Sequence, residues 1–176
     1  MTASFTQDGA RCTVRFERQL PHPAEKVWRA LTERELLKQW FPCDVVGEWT
    51  AGAKLEFPME GQVAVGATEE DFHGEVLAVE PPRLLEFRWG RDVIRCELSP
   101  EASGCRLVFA HGFDDVSTAA RNAAGWEVCF ETLDAALAGE APSALDMEAW
   151  GVWFERYVAA FESQAGPQQG APSAVE

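Results

Sequence analysis

Basic side chains are scarce in this 176-residue chain, where 15 Lys and Arg stand against 29 Asp and Glu and leave a formal charge of −14. An acidic excess of that size repels phosphate backbones and anionic lipid surfaces. No Lys/Arg-rich run offers a local exception, so neither nucleic-acid nor membrane partners are expected. Histidine is scarcer still, with only His22, His73 and His111. No HxxxH, HExxH or paired-cysteine spacing occurs, and no metal is expected. The strings GxSxG, GxGxxG and GxxxxGK[ST] are missing too. Their absence removes the commonest hydrolase, dinucleotide and phosphate-loop classes and leaves no cofactor to expect. The cysteines, at 12, 43, 96, 105 and 129, are odd in number and form no CxxC pair. They read as small buried hydrophobes of a reducing compartment. No apolar run approaches the length of a bilayer span, and MTASFTQDGAR lacks the regions of a secretory leader, so the expected location is cytoplasmic.

What the chain does have is amphipathic patterning. Residues 13–162 read as one domain, between polar, patternless tails at 1–12 and 163–176 that are expected to be disordered. Val14, Phe16 and Leu20 alternate with polar residues as in a half-buried strand over 13–20, in which Arg18 points inward. Pro21 and Pro23 end that strand and open a short helix over about 24–31. Thr32 followed by Glu35 reads as a capping box for a second short helix reaching Trp40. From Asp44 to Phe113 the pattern is that of an antiparallel meander, with strands expected at 44–49, 53–58, 71–80, 84–90, 92–98 and 105–113. Within 71–80, Phe72, Gly74 and Val76 are out of phase with Leu77 and Val79, which a bulge would reconcile.

The longest helical pattern follows, over 119–138. Ala119, Asn122, Ala123, Trp126, Cys129, Phe130, Leu133 and Leu137 share one stripe, whereas Glu127, Glu131 and Asp134 lie outside it. Burying the large members is worth roughly 1.5–3 kcal/mol each. Gly139 is a natural C-cap. A second amphipathic helix is expected over 146–162, with Met147, Trp150, Trp153, Phe154, Tyr157, Val158 and Phe161 on one face. Its aromatic stripe either folds back on the domain, the preferred reading, or makes a homodimer.

Several stretches resemble one known family. RQLPHPAEKVWRALTERELLKQWFP at 18–42, FHGEVLAVEPPRLLEFRW at 72–89, His111-Gly112-Phe113, AAGWEVCFETLDAALAG at 123–139 and ERYVAAF at 155–161 are together similar to the activator of heat shock protein ATPase homologue-like proteins. These belong to the START-like, or polyketide cyclase/dehydratase-like, superfamily. The resemblance implies an α+β helix-grip fold (START-like, Bet v 1-like). In it, a curved antiparallel sheet of about seven strands wraps a long carboxy-terminal helix, two short helices follow the first strand, and a further helix trails. That is the element order read above from the residues alone. The superfamily includes lipid carriers, receptors, cyclases and chaperone regulators, so fold analogy selects no single activity.

The candidate site lies between sheet and long helix. His111 interrupts an apolar strand face, either as a donor or base toward a ligand or as a hydrogen-bonded core residue. Arg18 must either pair with a carboxylate such as Glu56 or Glu75 or hold an anionic group of a ligand. Phe57, Phe72, Phe87, Trp89, Phe109, Trp126 and Phe130 either line a cavity or fill it, and Asn122 is the polar member of the helix stripe. The expected function is binding of a hydrophobic or amphipathic small molecule between sheet and helix. The alternatives are a cyclase/dehydratase-like enzyme acting on a polyketide-like substrate and a chaperone-regulating interaction module.

Overall fold

The computed structural model describes residues 3–58, 68–141 and 143–170. Eight strands form one antiparallel sheet: β1 (Ser4–Asp8), β2 (Arg11–Leu20), β3 (Val46–Gly47), β4 (Lys54–Glu56), β5 (His73–Glu80), β6 (Leu84–Trp89), β7 (Asp92–Glu101) and β8 (Gly104–Phe113). Their order is β1-β2-β8-β7-β6-β5-β4-β3. The described residues also form four α-helices, α1 (Ala24–Thr32), α2 (Arg34–Leu37), α3 (Ala119–Ala138) and α4 (Met147–Ala165), and two short 3₁₀ turns, Glu69–Phe72 and Val116–Thr118. None of the described helices is long and apolar enough to cross a membrane.

Register explains which side chains the sheet presents to α3. Phe16, Phe109, Cys96 and Leu85 lie in one cross-strand row, and Val14, His111, Ile94, Phe87 and Val76 in the next. Alternation along β2 places Arg18 beside Leu107, again on the inner face. The expected bulge is present as a register shift between Val76 and Ala78. The apolar residues of these rows join those of α1, α2 and α3 in one core.

Three expectations are corrected. The segment 1–12 is not an irregular tail: Ser4–Asp8 pairs along β2, and Phe5 is buried against Phe161 of α4, with ring centroids 5.4 Å apart. The sheet therefore has eight strands rather than about seven. At the other end, α4 continues to Ala165, and residues 166–170 return to the start of α3. Residues 1–2 and 171–176 of the expected tails lie outside the described residues. Thr32 caps nothing; its hydroxyl donates to the Trp28 carbonyl at 2.8 Å, and α2 is a single turn. As the last residue of α1, Thr32 bonds back to the preceding turn, which removes its hydroxyl from capping α2.

α3 is also more deeply covered than a single stripe predicts. Glu127, Val128 and Thr132 are buried along with Trp126, Phe130 and Leu133, because α4 folds back onto the face the sheet leaves open. Both ends of α3 are held by distant residues. Thr118 supplies no side-chain cap; the Gln168 Oε1 accepts from the Ala120 N–H at 2.9 Å instead. At the other end the Lys26 Nζ donates to the Leu137 carbonyl at 2.6 Å, and Gly139, with φ +81°, closes the helix in the left-handed region.

Candidate functional site

The interior between sheet and long helix is filled with rings. Phe109 packs against Trp126 (centroids 4.5 Å apart) and Phe130 (5.1 Å), and Phe130 meets Phe16 at 5.2 Å. Phe41, from the turn after α2, contacts Trp126 and Trp89 at 5.5 and 5.4 Å. On the sheet side, Phe57 stacks on Trp89 and Phe87. Phe57 and Phe87, and Phe109 and Phe130, are therefore contacting pairs within one core. Phe72 stands apart. It ends a one-turn 3₁₀ helix, Glu69–Phe72, ahead of β5 rather than lying in the strand, and it is only half-buried.

Arg18 does not reach Glu56 or Glu75. Its guanidinium pairs with Glu127 of α3 and lies against the rings of Phe16 and Phe130, at 5.5 and 5.3 Å from their centroids. The other carboxylate oxygen of Glu127 accepts from the Tyr157 hydroxyl, and the Ala3 N–H donates to that hydroxyl at 2.8 Å. Desolvation first, and the Glu127 carboxylate beside it, push the Tyr157 phenol above its ordinary value. Arg18 is thus one arm of an ionic joint between β2, α3 and α4.

His111 and Trp126 stand where the interior meets the surface. The indole Nε1–H of Trp126 donates to the His111 Nδ1 at 2.9 Å, and the His111 Nε2 lies 2.8 Å from the Asp92 carboxylate. An indole nitrogen can only donate, so Nδ1 accepts and the proton sits on Nε2, directed at Asp92. Both ring nitrogens are committed. Asp92 was legible in principle: it shares the parity of Ile94, Cys96 and Leu98, which point inward. The alternation breaks down only because the strand reaches its end at a polar position.

An apolar groove of about 190 Å³ opens over these residues. Trp89 and His111 line its sheet side, Asn122, Gly125, Trp126 and Cys129 form the wall along α3, and Leu145, Met147 and Trp150 close it from the joint before α4 and the first turn of α4. Of the ten sequence candidates, Trp89, His111, Asn122 and Trp126 come together here, and the other six do not. Gly125 was missed, as were the α4 residues. A glycine in mid-helix costs roughly 0.5–1 kcal/mol relative to alanine, and that is the signal it carried. A Cβ built on Gly125 meets no atom within 4 Å, so the residue borders open space. Burial pushes the Cys129 thiol up to about 12, which keeps it protonated and non-nucleophilic at neutral pH. Among the described residues, no group of three or more His, Cys, Asp or Glu is placed to hold a metal.

A curved antiparallel sheet closed on one long helix, with two short helices after its entering strand, is the helix-grip architecture of START-like domains. Within it, the chain belongs to the activator of Hsp90 ATPase homolog 1-like protein family, whose profile matches residues 21–138. Its fold is similar to that of EF2215 from Enterococcus faecalis, a conserved protein of unknown function, at TM-score 0.68 and 22% identity over 89% of this chain and 91% of that one. CalU16 from Micromonospora echinospora is similar at TM-score 0.63 and 20% identity, covering 90% and 94%. MLL2253 from Mesorhizobium loti reaches 30% identity at TM-score 0.62, covering 73% of this chain and 98% of that one. No protein of curated function matches.

Proposed function

We propose that the protein binds a hydrophobic or amphipathic small molecule, and that the ligand enters the groove over Gly125 rather than the packed interior behind Trp126. The observation carrying this reading is the groove itself, an apolar surface bounded by three tryptophans and left open at a mid-helix glycine. Aromatic walls with a few polar groups at the rim suit flat apolar ligands. Membership of a helix-grip family supports the class of function and says nothing of the particular ligand.

A side chain grown from Gly125 tests the site without touching the core. Gly125→Leu replaces glycine by a better helix former, worth about 1 kcal/mol in α3, and projects its side chain into the groove. Titration of the wild type with a neutral two-ring aromatic amide should change the emission of the groove tryptophans, and Gly125→Leu should lose that response while its Tm holds or rises. Unchanged binding by a folded Gly125→Leu variant would rule this groove out.

The cyclase-like alternative needs a proton donor or acceptor at the ligand, and His111 lines the groove. With Nδ1 taken by Trp126 and Nε2 by Asp92, it has no nitrogen for a substrate in this arrangement. Binding is the reading the geometry favours.

A further inference from the structure

Arg121 and Asn122 line the apolar groove and also a second, polar cleft of about 410 Å³ next to it. The cleft holds four carboxylates, each already engaged. Asp71 accepts from the Thr68 N–H at 2.7 Å and its hydroxyl at 3.1 Å, and Asp92 bonds His111. Asp114 pairs with Arg11 at 2.9 Å and Arg91 at 3.5 Å, while Asp115 accepts from the Ser117 N–H and hydroxyl. Arg121 is the exception. It is half-buried on α3 and makes no hydrogen bond, ion pair or ring contact among the described residues. In a chain with 29 acidic side chains, a half-buried guanidinium that lines two adjacent cavities and pairs with none of the four carboxylates beside it is an unfilled anion position. Beside it, Asn122 spends one amide hydrogen on the Thr118 hydroxyl at 3.1 Å and keeps its remaining donor and acceptor capacity.

We propose that the ligand is an amphipathic carboxylic acid, with its ring system in the groove over Gly125 and its carboxylate on the Arg121 guanidinium, backed by the Asn122 amide. The proposal rests on the groove being the binding site. A planar guanidinium fork matches a carboxylate in a two-bond arrangement. The surrounding carboxylates argue for this monoanion over a phosphate, since a second negative charge near Asp92 and Asp115 doubles the repulsion without adding a cation.

Three probes on one two-ring skeleton separate the elements of the proposal: 2-naphthoic acid, 2-naphthamide and 2-naphthylmethylamine, titrated calorimetrically into the full chain. The acid should bind about tenfold more tightly than the amide, the size of a charge-assisted hydrogen bond. In Arg121→Gln, with folding checked by its thermal melt, the acid-to-amide ratio should fall toward one, and in Arg121→Lys part of the preference should return. Equal binding of acid and amide by the wild type, or a preference that survives in Arg121→Gln, overturns the anion assignment and leaves the groove reading standing. A preference for the amine overturns it in favour of the acidic cleft. Failure of all three probes overturns both readings.

Discussion

Trp126 and His111 set the chemistry of the groove at the level of single side chains. A tryptophan whose only polar atom donates to an imidazole nitrogen dictates the tautomer of that imidazole, and nitrogen chemical shifts of His111 should show the proton on Nε2. A proton on Nδ1 instead would mean the Trp126 bond is not made in solution. The same bond separates two components of stability. Trp126→Phe keeps most of the apolar volume and leaves Nδ1 without its donor, an expected loss of about 1–3 kcal/mol in denaturant unfolding. Trp126→Ala also empties space against Phe41, Phe109 and Phe130 and should cost about 3–5 kcal/mol. If the two variants cost the same, the ring packing contributes little and Trp126 faces the groove more than the core.

Elements are locked together by polar groups that no single helix or strand reveals. Glu127 is 3% exposed and joins β2 through Arg18 to α4 through Tyr157. Glu127→Ala removes the buried carboxylate shared by the Arg18 guanidinium and the Tyr157 hydroxyl and should cost about 3–5 kcal/mol, whereas Tyr157→Phe removes one hydroxyl and should cost about 1–2 kcal/mol. A double-mutant cycle that sums additively would show that the two residues do not act as one joint. This joint also marks the limit of what the chain's pattern discloses. Period-two alternation located the strands because each has one face on the core, and the bulge near Leu77 was legible as a phase error. Glu127 was assigned to the outer side of its helix because a stripe analysis knows only the sheet. Burial of its other face depends on α4 folding back, which is a tertiary event. Strand β1 escaped for a similar reason: Ser4–Asp8 places only Phe5 in the core, too few apolar residues to register as a pattern. At the candidate groove, parity and the helix stripe pointed Trp89, His111 and Trp126 inward, but pattern does not distinguish rings that border a groove from rings that fill space.

Over the whole molecule, the acidic surface and the thiol-bearing interior respond to pH in different ranges. Burial pushes the Cys96 and Cys129 thiols up to about 12, and burial with Asp44 nearby does the same to Cys43. In the unfolded chain these thiols ionise near 8.5. Between those two values the unfolded state has released protons that the folded state still holds. Stability therefore falls with rising pH, the sign required when the native state binds more protons. The contribution is fully present below pH 8 and is lost progressively from about pH 9 toward 12. Thermal melts taken every half unit from pH 7 to 11 should be level up to about pH 8 and then decline. Cys96 lies in the cross-strand row with Phe16 and Phe109, so Cys96→Ala lowers the plateau through lost packing while removing one of the five thiols that burial holds above their ordinary value, Cys12 and Cys105 being the other two. Its decline should consequently be shallower than that of the wild type. A variant with a lower plateau and an equally steep decline would assign the alkaline transition to other groups, with Tyr157, whose phenol is also held above its usual value, the next residue to substitute.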